Sequence, residues 1–308
     1  TPLVVQPARN VTYSGGWRFS PTASLSNELR LGQLYSAPEF FRTDATPAEY
    51  YLPTLITHPG PLNGGAIFRY QGRLVKTQNI QDTMSWLKGN HAFRFGAQYQ
   101  SVKITAFNDA GISPVYNLGI TTTGNFGPVL QSTALATAAG GPALSAAQQT
   151  SARSLLALLG GVISAGQQTF NTSSQTSGFV ANYTSLRPFK YSMLAPYVLD
   201  QWKIAPTLTL NVGLRWDYQK PLELENGLLW EPVIAEGRDP VEAILDPSGT
   251  YQFIGGNAGK KNAFYKQDKN NWAPSFGAAW APRNLTGFWK KVLGENFVVR
   301  GGFRRSYV

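Results

Sequence analysis

Cysteine, charged residues and long apolar runs are scarce or missing in this sequence. The absence of cysteine excludes a disulfide framework, thiolate metal sites and cysteine nucleophiles. Charged residues make up 14% of the chain, against about 25% in typical soluble domains, which is too little to cover a large water-exposed surface. The longest apolar run, at residues 155–163, is far shorter than the roughly 20 residues of a membrane helix. Low charge without such a run is typical of membrane β-barrels, because their polar and apolar residues alternate.

Motifs of catalysis and metal binding are also missing. The two histidines, His58 and His91, are far apart and do not have the spacing of a metal pair. No Gly-x-Ser-x-Gly elbow offers a serine nucleophile. The glycine- and lysine-rich run at residues 255–261 has neither the spacing nor the Ser or Thr of a phosphate-binding loop. We therefore predict no enzymatic activity, no catalytic residue, no metal site and no cofactor.

The net charge of +10 suggests an anionic partner. Lysines and arginines are scattered apart from a group at residues 260–269, and no recognition helix accompanies that group, so we do not expect nucleic-acid binding. A lipopolysaccharide surface would suit the charge equally well. The first ten residues lack the basic and apolar regions of a signal peptide, so we expect that segment to be absent or already removed.

The most informative pattern is a strict alternation between residues 208 and 218. The even positions are all apolar: Leu208, Leu210, Val212, Leu214, Trp216 and Tyr218. Since successive side chains of a strand point to opposite faces, one face is apolar and ends in two aromatic residues, and the other is mostly polar. A strand that crosses a bilayer needs about 9–11 residues with aromatics at the interface. The pattern therefore predicts a transmembrane strand.

Similar segments form pairs joined by mostly short turns. We place hairpins near residues 11–35, 78–102, 191–219 and 272–308, and long loops near 36–74, 107–190 and 222–271. Short turns at one end and long loops at the other are typical of outer-membrane barrels. In the second loop, leucine spacing between residues 145 and 163 favours a short helix. The predicted fold is all-β, an antiparallel transmembrane β-barrel segment of about eight strands with long extracellular loops in the bacterial outer membrane.

Four segments match, in order, the sequence pattern of a known protein family. YVLDQWKIAPTLTLNVGLRW, from Tyr197, has a Tyr-x-x-Asp-x-Trp strand, a proline turn and a Leu-Thr-Leu-Asn-x-Gly-Leu-Arg strand. WLKGNHAFRFG contains Trp-x-x-Gly-x-His, NWAPSFGAAWAP and VVRGGFRRSY form an Ala-Pro-x-x-Gly and Arg-Gly-Gly pair, and WRFSPTASLSNELRLG contains Asn-Glu-x-Arg. These motifs resemble those of TonB-dependent transporters, most closely the Oar-like group. The resemblance covers nearly all of the chain except the loop interiors.

The resemblance implies an energised outer-membrane importer whose barrel of about 22 strands encloses a plug. We find about eight predicted strands in the chain, and neither a plug domain nor a TonB box. We therefore interpret the chain as part of such a barrel. The implied partners are outer-membrane lipid and lipopolysaccharide, the remaining barrel and plug, TonB through the plug, and an unidentified solute.

Two sets of residues are predicted to meet that solute. The lumen-facing candidates are Arg94, Gln98, Arg215, Asp217 and Arg300, and the loop candidates for stacking on a ligand are Trp230 and Tyr251. A second interpretation is that the lumen groups only pair with one another and the aromatics only pack the loops, since polar groups in a low dielectric need partners whatever their function.

Two other protein classes are compatible with the sequence. Eight strands can close a small outer-membrane barrel with a structural or surface-binding role, in which case residues 11–19 would pair with residues 296–308. A soluble β-sandwich binding module would instead bury the apolar residues of the 208–218 stretch beneath a second layer of protein.

Overall fold

The computed structural model describes residues 4–43, 54–57, 60–61, 69–119, 140, 145–282, 287–294 and 297–307. Antiparallel β-structure dominates them, as predicted. The strands are β1 (Val4–Val5), β2 (Ala8–Thr22), β3 (Leu25–Arg42), β4 (Thr54–Thr57), β5 (Gly60–Pro61), β6 (Gln71–Lys88), β7 (His91–Asn108), β8 (Val115–Leu118), β9 (Ile163–Gln167), β10 (Ser185–Ala205), β11 (Leu208–Trp216), β12 (Tyr218–Gln219), β13 (Glu223–Leu224), β14 (Trp230–Pro232), β15 (Tyr251–Phe253), β16 (Trp272–Trp280) and β17 (Val299–Arg304). The helices are α1 (Ala146–Gly160), α2 (Pro240–Leu245) and α3 (Gly287–Leu293).

The long strands form one sheet in the order β2, β3, β6, β7, β10, β11, β16, β17. The short strand β1 pairs with the end of β3, and β12 and β13 continue the pairing along β10. In the part of the chain that the structure describes, β2 pairs with β3 and β17 with β16, and these two edge strands do not pair with each other. The sheet is therefore open, and the pairing that a closed eight-stranded barrel needs is not formed.

Tight turns connect the long strands at one end of each hairpin. Ala205 pairs with Leu208, so only Pro206 and Thr207 lie outside the β10–β11 ladder. In the β6–β7 hairpin, Gly89 has a φ of 58°, in the left-handed region that a residue without a Cβ adopts at little cost. Both turns have the two-residue length that is commonest in hairpins.

The pairing register keeps the two faces of the sheet chemically distinct over three adjacent strands. Val212 of β11 lies opposite Phe276 of β16, which lies opposite Phe303 of β17. These three side chains are 48%, 52% and 65% exposed. Gly213 lies opposite Ser275, which in turn lies opposite Arg304, on the other face. No second layer of protein among the described residues covers these apolar side chains, contrary to what a soluble β-sandwich requires.

Aromatic residues mark both ends of the apolar face. Trp272 and Trp280 are the two ends of the nine-residue strand β16, and the eight residue-to-residue steps from one to the other span roughly 27 Å. At one end the Trp272 ring stacks on Trp216 with 5.8 Å between centroids. Trp280 at the other end is 48% exposed. This spacing fits the ~25 Å apolar band between aromatic girdles in outer-membrane barrels.

The buried hydrophobic residues lie mainly in the connections, not on the apolar face of the sheet. Leu224, Ile254 and Ala263 are 1%, 5% and 0% exposed, and all three belong to the third long connection. Ile112, in the second, is fully buried. The loops therefore have small water-excluding cores of their own. The sheet exposes its apolar side chains instead, as expected where lipid is the solvent.

The second long loop contains the predicted helix. α1 begins with a capping box, in which Ser145 and Gln148 bond reciprocally, and it ends at Gly161 with a φ of 62°. The loop also contains β8 and β9, which form a small sheet with β4 and β5. The connection between β16 and β17 contains α3. Among the described residues, no helix combines the length and the apolar character needed to cross a membrane.

Two compact units divide the chain. One comprises Thr1–Ala8, Ala37–Arg73 and Thr105–Arg187, and contains α1 with the small sheet. The other comprises Arg9–Ser36, Leu74–Ile104 and Pro188–Val308, and contains most of the long sheet with the third loop. Several strands are also longer than predicted. β3 continues to Arg42 and β10 begins at Ser185, so residues that we assigned to loop edges are strand.

Val212 tests which face contacts lipid, because it is the central residue of β11 on the apolar face. We expect Val212→Arg in the full-length protein to destabilise the membrane-folded state by about 2–4 kcal/mol, the cost of an arginine at the bilayer midplane. Asn211→Arg places the same charge on the opposite face and should cost less than about 1 kcal/mol. The measurement is urea-dependent folding into lipid vesicles. Equal destabilisation by both variants would contradict the assignment of the faces.

Candidate solute-binding cavity on the polar face

The polar face of the sheet is the face that carries Arg94 and Arg215. Alternation along β11 places Asn211, Gly213 and Arg215 on this face, and the register adds Tyr197 from β10, directly opposite Arg215. From β17 it adds Arg300 and Arg304, which lie opposite Ala279 and Ser275. The polar face therefore combines residues from strands that are far apart in sequence but adjacent in the sheet.

A cavity of about 670 Å³ lies against this face. Four of the predicted lumen residues line it together: Arg94, Gln98, Arg215 and Asp217. Arg300 is on the same face by register but is not among the residues that line the cavity. A volume in this range is typical of small-molecule sites, so the sheet has room for a solute where sequence reasoning placed one.

Short polar contacts position the side chains around the cavity. The Arg215 Nε donates to Asp217 Oδ1 at 2.6 Å, and both residues are on the same face two positions apart. The hydroxyl groups of Thr83 and Tyr197 are 2.9 Å apart and share a hydrogen bond between β6 and β10. Asp217, which lies between β11 and β12, thus pairs along the chain with Arg215.

Two further arginines line the cavity that sequence reasoning did not select. Arg304 lies opposite Ser275, and the guanidinium of the next residue, Arg305, is 4.8 Å from the ring centroid of Tyr307. All three line the cavity. Arg304 was predictable, because it is four residues beyond Arg300 and the period of two places both on one face. Arg305 and Tyr307 follow the end of β17, where the alternation no longer indicates a direction.

A separate group of ion pairs occupies the polar face near the β2 edge. Glu28 accepts from Arg18 at 2.8 Å and from Arg30 at 2.5 Å. Arg30 and Glu28 also border a small cavity shared with Arg94. The acidic group of this region is therefore already engaged by two arginines.

The predicted loop aromatics lie elsewhere, on the β14–β15 hairpin of the third loop. Trp230 pairs with Phe253, and Tyr251 pairs with Pro232. The Trp230 and Phe253 rings have centroids 4.4 Å apart. Trp230 is 43% exposed and Tyr251 is 59% exposed. Both are accessible to a ligand from solution, but neither is among the residues that line the 670 Å³ cavity.

One carboxylate holds this loop hairpin in shape. Glu231 Oε1 accepts hydrogen bonds from the backbone N–H groups of Gly255 at 3.2 Å and Asn257 at 2.9 Å. It also accepts from Gln252 Nε2 at 3.1 Å. The bonds tie the β14 strand to the glycine-rich turn that follows β15, which is the run that superficially resembled a phosphate-binding loop. Its glycines serve the turn.

Two of the four sequence motifs, Trp-x-x-Gly-x-His and Tyr-x-x-Asp-x-Trp, meet on the apolar face. His91 Nδ1 lies 2.7 Å from Asp200 Oδ2, and the His91 ring stacks on Trp202 with 5.1 Å between centroids. His91 also stacks on Phe93 at 5.3 Å. Asp200 lies opposite Val212 in the ladder, so this pair is on the same side of the sheet as the apolar residues. His91 thus has an interfacial position. In the described residues, no group of three or more side chains that could hold a metal ion is found.

An open antiparallel sheet with an exposed apolar face, aromatic ends and a polar cavity on its other face defines a membrane β-barrel wall. The chain matches the family model described as outer membrane beta barrel domain over residues 6–307. It therefore belongs to that family, and its location is the bacterial outer membrane. No curated protein matches the chain.

Glu231 tests how the loop aromatics are held in place. Glu231→Ala leaves two backbone N–H groups without their acceptor, and we expect the turn to open more easily by roughly 1–3 kcal/mol. Trypsin cleavage after the adjacent Lys260 and Lys261 of the full-length protein should then rise about 10-fold. Glu236→Ala, at an exposed position of the same loop, is the matched control. Equal cleavage of the two variants would show that Glu231 does not hold the turn.

Asp246 provides a pH test in the same loop, outside the membrane-spanning strands. The hydroxyl of Ser248 and the guanidinium of Arg238 donate to its carboxylate and lower its pKa from 3.8 to about 2. Because the folded pKa lies below the unfolded one, this stabilisation is present above pH 3.8 and is lost as the pH falls to about 2.

We expect Ser248→Ala to raise the pKa of Asp246 toward 3.8, because the largest of the lowering interactions is removed. Thr250→Ala, two residues further on, should leave the pKa unchanged. The measurement is a titration of the aspartate carboxyl carbon by NMR. A pKa that stays near 2 in Ser248→Ala would contradict the role of the hydroxyl.

Proposed function

We propose that the chain is part of the wall of a TonB-dependent, Oar-like outer-membrane transporter that takes up or binds an unidentified solute, without enzymatic activity. The observation that carries the proposal is the cavity on the polar face, lined by Arg94, Gln98, Arg215 and Asp217. A barrel with a purely structural role needs no such space. The order of the four sequence motifs adds the particular transporter group.

The open sheet supports a wall that is completed by further strands. Edge strands with unpaired N–H and C=O groups are not stable in lipid. In the described residues, β2 and β17 each have only one long neighbour. The proposal supplies their missing neighbours from the remaining barrel, and the polar face would then enclose the plug on which TonB acts. Outer-membrane lipid and lipopolysaccharide would contact the apolar face and the loops.

Depletion of solutes from the growth medium tests the proposal. The strains to compare are the parent, a deletion of the gene that encodes this chain, and a deletion of TonB. We expect at least one solute that the parent removes to remain in the medium of both deletion strains. Restoring the gene should restore its removal.

Two results would contradict the proposal. One is that the deletion of the gene leaves every solute depleted as in the parent. The other is that a solute depends on the gene but is still taken up without TonB, which would point to passive entry through a small barrel.

A further inference from the structure

The cavity on the polar face has an excess of positive charge. Among the described residues, its lining contains Arg94, Arg215, Arg304 and Arg305 but a single carboxylate, that of Asp217. Asp217 accepts a hydrogen bond from the Nε of Arg215. A guanidinium has five N–H donors, so this bond uses one of them and leaves four for other acceptors. The remaining three arginines come from β7 and from the β17 end of the sheet.

Arg94 and Arg304 have no acidic partner in the described part of the chain. No carboxylate there lies within ion-pair distance of either guanidinium, and both side chains are exposed. The acidic residue that shares a small neighbouring cavity with Arg94 is Glu28, and Glu28 is already bonded by Arg18 and Arg30. Two forked cationic groups are therefore available on the same cavity wall.

Neutral donors surround these cations. Gln81, Gln98, Asn271 and Ser275 line the same cavity, and their amide and hydroxyl groups can donate to oxyanions. Arginine binds carboxylate and phosphate through two parallel N–H···O bonds, which adds direction to the attraction of charge. A neutral solute would make no comparable use of unpaired guanidinium groups.

We propose that this cavity binds a small anionic solute through carboxylate or phosphate groups, with Arg94 and Arg304 as the principal binding residues. This inference rests on the proposed function in one respect only, namely that the solute is the one taken up or bound at the cell surface. The binding chemistry itself belongs to residues of this chain and does not require TonB.

Binding to the purified full-length protein in detergent tests the inference by isothermal titration calorimetry. The probes are citrate for carboxylate, inorganic phosphate for phosphate and glycerol as the neutral compound. We expect citrate, phosphate or both to bind and glycerol not to bind. Affinity should fall as NaCl is raised from about 50 mM to about 300 mM, because salt screens exposed charges.

The variants are Arg94→Gln and Arg304→Gln, each of which removes one charge and keeps a polar side chain. Each should weaken binding of the bound anion about 10-fold or more, as for the loss of a charged hydrogen bond. Arg9→Gln is the matched control, because it removes an exposed arginine of β2 that does not line the cavity. It should bind the anion like the parent.

Three results would overturn the inference: no binding of either anion, equal binding of glycerol, or equal affinities of Arg94→Gln, Arg304→Gln and Arg9→Gln. Thermal unfolding of each variant shows whether a loss of affinity reflects a loss of fold. Should an arginine variant not fold, Gln98→Leu provides a second test, and it should weaken anion binding while leaving the charge unchanged. Failure of TonB-dependent uptake together with intact anion binding would refute the proposed function and leave this inference standing.

Discussion

The two faces of the long sheet must satisfy two different solvents, and the period-two arrangement of the strands makes this possible. On β11 the apolar Val212 and the polar Asn211 are neighbours in sequence, yet they face opposite sides. Backbone N–H and C=O groups of the inner strands are satisfied between neighbouring strands, as the hydrocarbon core requires. Exposed apolar side chains such as Phe276 and Phe303 are then favourable rather than costly, because lipid covers them.

The same division explains why a protein with so few charges has an uncompensated group of arginines. The charged residues that line the cavity lie on the polar face, where water or partners can reach them. Near the β2 edge the arginines pair with Glu28. In the larger cavity, Arg215 is the one arginine with a carboxylate partner in the part of the chain that the structure describes. The arginines near the β2 edge therefore share one carboxylate, whereas Arg94 and Arg304 of the cavity have none among the described residues.

The sequence predicted the strands well where the alternation is long and poorly where elements are short. The β10–β11 hairpin follows directly from the 208–218 pattern and the proline turn. The helix α3 and the short strands of the third loop have too few residues for any period to be recognised. For the cavity, alternation correctly placed Arg94 and Arg215 on the polar face. The alternation could not show that Arg305, beyond the end of β17, also lines the cavity, because the direction of that side chain depends on tertiary contacts.

The contact between His91 and Asp200 has a consequence for how the wall assembles. No short turn connects β7 to β10, because 76 residues (109–184) lie between them. The connection therefore does not set how these two strands align. A slip by one position would invert every side chain of the β10–β11 hairpin. The 2.7 Å bond and the stacking of His91 on Trp202 exist only in one alignment. They therefore favour one register between the β6–β7 and β10–β11 hairpins, which gives a structural reason for these polar residues among the aromatic residues of the apolar face.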